Sequence, residues 1–295
     1  MEKSALTMTN SENKGPLAVD VVIPVHAERP EALEATLSAC VKQTRPFSRI
    51  FVVDDGSPVP VCLPDWTQSF PQICLLRLPQ NVGISAARNA GIALSDTPLL
   101  ACINTEVLPD PDWLVTCVRY LSTRAGVCAC YTRLVPQNPK RLLTIWRMRF
   151  FETKFGEQSG PTPFAPGHAV LFRKEAVLVV GGYDPRLRLH HEDSDICHRM
   201  KAIGWETHYI AESRSISIQA DSLEQLCKKE LRERGWYSQT GGSLSRLFVS
   251  LCKLTFIRVG RNVVKGRFHL LPVDAAIWIT TLCIALSCKL RSAER

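Results

Sequence analysis

The chain of 295 residues carries 36 Lys and Arg against 28 Asp and Glu, a net charge of +8, with 45% apolar and 22% charged residues. That balance belongs to an ordinary globular protein with a sizeable core, and it excludes disordered, collagen-like and low-complexity classes. The positive excess suits an anionic partner, whether nucleotide phosphates, nucleic acid or an acidic membrane face.

Residues 1–18 are polar and unpatterned, and are expected to form a flexible tail without the apolar run of a signal peptide. From Val19 onward β-branched runs alternate with amphipathic stretches, which predicts an α/β fold with a mostly parallel central sheet. VDVVIPVH (19–26) reads as a buried strand, and EALEATLSACVKQ (31–43) as a helix started by Pro30. RIFVVDDGS (49–57) is a strand that ends in two carboxylates and a glycine turn. Next come a strand at 73–78, a helix at 84–94, a strand at 98–104 and a helix at 110–124. GVCACYTRLV (126–135) reads as a strand, followed by a Pro- and Arg-rich insertion to about residue 164. Residues 166–176 run from strand into helix, 192–204 form a helix with a glycine stop, and 205–211 a strand. Beyond Ser222 the pattern is helical throughout.

Twelve cysteines in a chain of this length, mostly inside apolar runs, are expected to be reduced thiols in a cytosolic protein. Cys128 and Cys130 would share one face of their strand, but no second pair completes a four-ligand metal site.

Ligands of open α/β sheets gather outside the carboxyl ends of the strands. Three such ends carry unusual residues: Val25-His26, Asp54-Asp55-Gly56-Ser57 and Asn104-Thr105-Glu106. A fourth polar set, His190-His191-Glu192-Asp193-Ser194-Asp195, opens a helix and holds more carboxylates than one cap requires.

Six segments then carry a resemblance: IPVHAERPEALEATLSACVKQT, VVDDGS, LPQNVGISAARNAGI, CINTEVLPDPDWL, GHAVLFRKEAVLVVGGYDPRL and HEDSDICHRMKAIGW. In this order and spacing they resemble the family 2 glycosyltransferases. The resemblance implies a GT-A type nucleotide-sugar-binding domain over residues 19–240, with the donor in its N-terminal half and the acceptor in its C-terminal half. Asp193 matches the family's catalytic base, with Glu192 beside it. Asp55 matches the acidic residue on the donor's base; Pro24, Val25, His26 and Glu28 line the same pocket, together with Gly83. Arg88 falls where the family places an arginine near the nucleotide, where a guanidinium suits a diphosphate. Gly167 and His168 fall where the donor sugar or acceptor is contacted.

Two departures bear on the cofactor. The family's Asp-x-Asp is here Asn104-Thr105-Glu106, both residues counted with the donor site, so either Glu106 alone holds Mg²⁺ or Mn²⁺, and weakly, or Lys and Arg side chains neutralise the leaving diphosphate without a metal. Gln219 stands where many members carry a histidine. The implied reaction is inverting transfer of a sugar from a nucleotide diphosphate to a hydroxyl of a glycan or lipid-linked glycan, as in cell-surface polysaccharide biosynthesis. The alternative is a degenerate domain acting as a non-enzymatic partner in a membrane assembly.

The cations are concentrated late in the chain. From Arg234 to His269 there are seven Lys or Arg and no Asp or Glu, interleaved with Leu, Phe and Ile. Helices over 241–295 with a basic and an apolar face suggest an anionic membrane surface, hence a cytoplasmic protein peripheral on the inner face. Residues 275–288 are uncharged, but fourteen positions are short for a crossing. Nucleic-acid binding is not expected, since no aromatic platform, zinc spacing or helix-turn-helix pattern accompanies the cations.

Overall fold

The computed structural model describes residues 17–155, 157–188, 191–219, 222–233 and 243–293. Most of the expected N-terminal tail, His190, and Arg234 at the start of the basic segment lie outside the described residues.

The strands are β1 (Val19–Val25), β2 (Arg49–Asp54), β3 (Ile73–Arg77), β4 (Leu99–Ile103), β5 (Val107–Pro109), β6 (Val127–Pro136), β7 (Gly160–Thr162), β8 (Ala169–Arg173) and β9 (Glu206–Ser217). The helices are α1 (Pro30–Val41), α2 (Ile84–Leu94), α3 (Trp113–Ser122), α4 (Leu142–Phe155), α5 (Lys174–Val179), α6 (Glu192–Ala202), α7 (Leu223–Glu233), α8 (Leu244–Val264) and α9 (Leu271–Ala293). Among the described residues one nine-stranded sheet runs β3-β2-β1-β4-β8-β6-β9-β5, with β7 on β9. Its N-terminal half, β3 through β4, is all parallel. β8 enters antiparallel between β4 and β6, and β6 and β9 are again parallel.

β1 is buried along its whole length, as a continuous β-branched run between two helical layers requires. Its alternate residues feed two cores. Val19, Val21 and Ile23 join Leu37, Trp113 and Leu114 on one face, while Val22 joins Phe51, Leu100 and Tyr183 on the other. Trp113 is fully buried and donates from Nε1 to Thr132 Oγ1 at 3.0 Å.

Three regions differ from the sequence reading. The insertion after β6 contains helix α4 and strand β7. β9 continues to Ser217, because a register shift at Thr132/Arg133 lets it pair with β6 over a second stretch. Cys128 and Cys130 do not share a face: a bulge between Val127 and Ala129 turns Cys128 into one core and Cys130 into the other. All twelve cysteines are free thiols.

At the C-terminus, Phe268–Leu290 is a 23-residue helical stretch whose most apolar 18-residue window has a mean hydropathy of 1.8, long and apolar enough by length and composition to cross a bilayer. This stretch exceeds the fourteen uncharged positions because it takes in Asp274 and Lys289. One side of α9 is packed within the protein, with Val273, Ile277 and Ala285 buried.

Candidate active site

The carboxyl ends of β1, β2 and β4 open on one edge of the sheet. Because β8 is antiparallel, with Ala169 opposite Ile103, it starts at that same edge and brings Gly167 and His168 beside Asn104. The Asn104 amide donates to the His168 carbonyl at 2.9 Å. Ala27, Glu106 and His191 are the non-glycine residues with left-handed φ among the described residues, at +57°, +67° and +69°. They follow β1, follow β4 and precede α6, so the backbone strain collects around this edge.

The first wall is the loop after β1. Pro24 and Val25 are buried in the strand, and the Val25 carbonyl accepts the Asp55 amide at 2.8 Å. His26 Nδ1 lies 2.9 Å from the Asp55 carbonyl oxygen, and the Ala27 amide donates to Ser57 Oγ at 3.1 Å. The Glu28 carboxylate accepts the His26 amide; partial desolvation nevertheless raises its pKa above the usual carboxylate value.

The two carboxylates of the Asp54-Asp55 pair have separate duties. Asp54 is fully buried, accepts the amides of Ser57 at 2.9 Å and Val61 at 3.2 Å, and pairs with Arg77. It holds the turn. Asp55 accepts the amides of Val82 at 2.8 Å and Gly83 at 2.9 Å, which fixes its carboxylate against the start of α2. Gly83 has φ +96°, and a Cβ there would lie 2.7 Å from that of Arg188, so the chain needs glycine at this point.

The centre is Arg88, projecting from α2 with no exposed surface. Its Nη1 donates to Glu192 Oε1 and Asp193 Oδ1, both at 3.0 Å. Its Nη2 donates to Asn104 Oδ1 at 2.9 Å and to the Gly167 carbonyl at 3.2 Å. The guanidinium stands 5.0 Å from the Tyr183 ring centroid. The sequence reading aimed Arg88 at a diphosphate. In the structure its terminal nitrogens are all used by protein acceptors, and it lies beneath the edge, tying together α2, the end of β4, the start of β8 and α6.

Asp193 is held at both oxygens, Oδ1 by Arg88 and Oδ2 by the Gly167 amide at 2.7 Å. Its side chain keeps 24% exposure against 8% for Glu192 and none for Arg88, so Asp193 is the member of this cluster most open to solvent. Burial, and then the neighbouring Asp193 charge, push the Glu192 carboxyl above its usual range. Asp195 does not join them. It pairs with Arg199 one turn along α6 at 2.7 Å, and Arg199 also reaches the carbonyls of Val180 and Gly182.

His168 also departs from expectation. Its side chain is buried, with Nε2 at 3.4 Å from the Thr132 carbonyl and the ring edge-on to Tyr131. Burial pushes its pKa down to about 4, so the imidazole is neutral at physiological pH.

Glu106 keeps 26% exposure, and its Oε1 is paired with Arg29 Nη2 at 2.9 Å. Among the described residues no group of three or more His, Cys, Asp or Glu could hold a metal ion. The Asn104 amide oxygen is already engaged by Arg88, which leaves Glu106 as the single carboxylate of this loop. Such a donor set fits a divalent cation only if substrate phosphates and water complete its shell, which is the habit of Mg²⁺. Sequence reasoning missed Arg29 and Tyr183. The Arg29 pairing spans 77 positions, and no local pattern announces it.

Residues 20–180 match the family model described as glycosyl transferase family 2. The chain belongs to that family. It is 29% identical over 210 residues to the pre-mycofactocin glycosyltransferase of Mycobacterium tuberculosis, covering 68% of this chain and 42% of that one. The chain thus spans less than half the length of this relative. It is 26% identical over 303 residues to an N-acetylglucosaminyltransferase of Sinorhizobium fredii, covering 92% of this chain and 72% of that protein. Among solved structures, the mannosyltransferase PcManGT of Pyrobaculum calidifontis, in complex with GDP-Man and Mn²⁺, superposes with a TM-score of 0.62 at 15% identity, covering 92% of this chain and 87% of the other. That likeness establishes a GT-A fold for the described sheet and its helices.

Proposed function

We propose that the protein is an inverting glycosyltransferase in which Asp193 is the base. It would take the proton of an acceptor hydroxyl as that oxygen attacks the anomeric carbon of a nucleotide-sugar, and the nucleoside diphosphate leaves. A single displacement inverts the anomeric centre. The observation that carries this reading is the contrast within one cluster: Asp193 opens to solvent with both oxygens anchored, while Glu192 and Arg88 are buried behind it. Arg88 and the Gly167 amide fix the direction of its carboxylate, leaving further lone pairs for the incoming proton.

Asp55, oriented by the amides of Val82 and Gly83, is assigned to an N–H of the donor's base, with His26, Glu28 and the carbonyl edge of β1 beside it. Asn104, Gly167 and the His168 backbone form the floor, where the imidazole of His168 takes no part. A Mg²⁺ or Mn²⁺ ion would take Glu106 as its protein carboxylate, supplying charge neutralisation to the leaving diphosphate. The acceptor assigned is a glycan or lipid-linked glycan at the inner face of a membrane, with the protein peripheral on that face. This part rests on the basic, apolar C-terminal helices.

Asp193→Asn tests the assignment. Turnover should fall by about 10²–10⁴-fold. Thermal stabilisation by the matching nucleoside diphosphate should persist, since a ligand at a hundredfold excess over its Kd adds about 2.7 kcal/mol. Undiminished turnover would remove Asp193 from the role. A wild-type chain stabilised by none of UDP, GDP, dTDP or CMP would favour the non-enzymatic partner.

A further inference from the structure

α8 carries two contrasting faces. Leu247 and Leu251 are buried, and Asn262 is buried with its Nδ2 donating to Asp274 Oδ2 at 2.6 Å. On the outer side, Val249, Phe256 and Val264 recur about every two turns and are 65%, 82% and 87% exposed. Lys253 and Arg261 are exposed on the same helix, and Lys265 is exposed just past its C-terminal end. No Asp or Glu occurs between Glu233 and Asp274, while the segment holds seven Lys or Arg. An apolar ridge flanked by cations without one anion is not complementary to nucleic acid, which offers no apolar layer, nor to a basic or neutral protein surface. It matches an interface with negative charge at the level of the cations and hydrocarbon just below.

α9, the helix with the composition of a membrane span, is not free to leave the protein. Its Asp274 is 3% exposed and accepts from Trp146 Nε1 at 2.8 Å as well as from Asn262, while Ile277 and Ala285 are buried against neighbouring helices. A crossing would strip the carboxylate of these donors and place it inside the apolar stretch.

We propose that the outer face of α8 is the docking surface of this protein for an anionic lipid bilayer, lying in the plane of the interface while α9 stays packed. The proposal extends the peripheral placement given above by naming the surface, and vesicle binding is read without turnover. Failure here would therefore leave the transferase assignment standing.

The test uses the full chain and vesicles of phosphatidylcholine with or without phosphatidylglycerol. Co-sedimentation should require phosphatidylglycerol, weaken as salt rises, and be reversed by alkaline carbonate. Phe256→Glu with Val264→Glu should reduce binding by about tenfold or more, and so should Lys253→Glu with Arg261→Glu. Both variants should retain the wild-type thermal shift with nucleoside diphosphate, which shows them folded. The proposal is overturned by equal binding to neutral vesicles, by no binding to either, by carbonate resistance of a true span, or by self-association that the same substitutions abolish.

Discussion

Gly167 has no room for one more carbon: a Cβ there would stand 2.4 Å from both Arg88 Nη2 and Asp193 Oδ1. That closeness lets a backbone amide hold a carboxylate, and it leaves Arg88, read from sequence as a phosphate ligand, buried with its terminal nitrogens on protein acceptors. A carboxylate count near His190-Asp195 was legible along the chain. Which carboxylate opens to solvent was not, because it depends on where α2 and β8 come to rest. His168 gives a pH prediction. With its pKa lowered from 6.5 to about 4, its contribution to stability is fully present above pH 6.5 and is lost as pH falls from 6.5 toward 4. The wild-type unfolding free energy should therefore fall more steeply across that window than that of His168→Gln, by up to about 1.4 kcal/mol per pH unit. Parallel slopes would remove the imidazole as the cause. Glu106 gives the second. Mn²⁺ should increase the thermal shift produced by nucleoside diphosphate in wild type and leave Glu106→Gln unmoved; equal responses in both would rule Glu106 out as the ligand.

At the scale of elements, local pattern and packing agree best where the sheet is parallel. The β1 run, the Pro30 start of α1 and the span of α2 all follow from hydrophobic periodicity and simple start signals. Gly91 shows what the pattern omits. α2 lies so close on β1 that a Cβ at Gly91 would meet Val22 Cγ1 at 2.5 Å. Gly91→Ala, favourable by helix propensity alone, should lower stability by about 1–3 kcal/mol, measured by chemical denaturation. A gain would mean that the helix has room to shift. The bulge in β6 is the opposite case. A period-two reading puts Cys128 and Cys130 on one face, but one extra residue, set by pairing with β9, separates them. No feature of the strand by itself encodes its partner's register.

Across the whole molecule, a polar network joins the C-terminal helices to the insertion after β6. Trp146 of α4, Asn262 of α8 and Asp274 of α9 meet there, and Arg258 pairs with Glu230 of α7 at 2.7 Å while stacking over Trp146. Trp146→Phe, which deletes the N–H to a buried carboxylate, should cost about 1–3 kcal/mol. Limited proteolysis should then release the C-terminal helices before the parallel half of the sheet is cut; simultaneous loss of both would make the molecule one cooperative unit. The sequence by itself determined the order of the strands and helices from β1 to β4, the polar residues at the strand ends and the family, since these rest on periodicity and on motifs a few residues long. The tertiary structure alone decided that Arg88 is buried against Glu192, Asp193, Asn104 and the Gly167 carbonyl, that Glu106 is paired with Arg29, and that the strongly apolar C-terminal helix is held by a buried carboxylate. Each of these joins residues far apart in the chain. Their energies depend on burial and on the identity of the facing partner, which only the folded arrangement supplies.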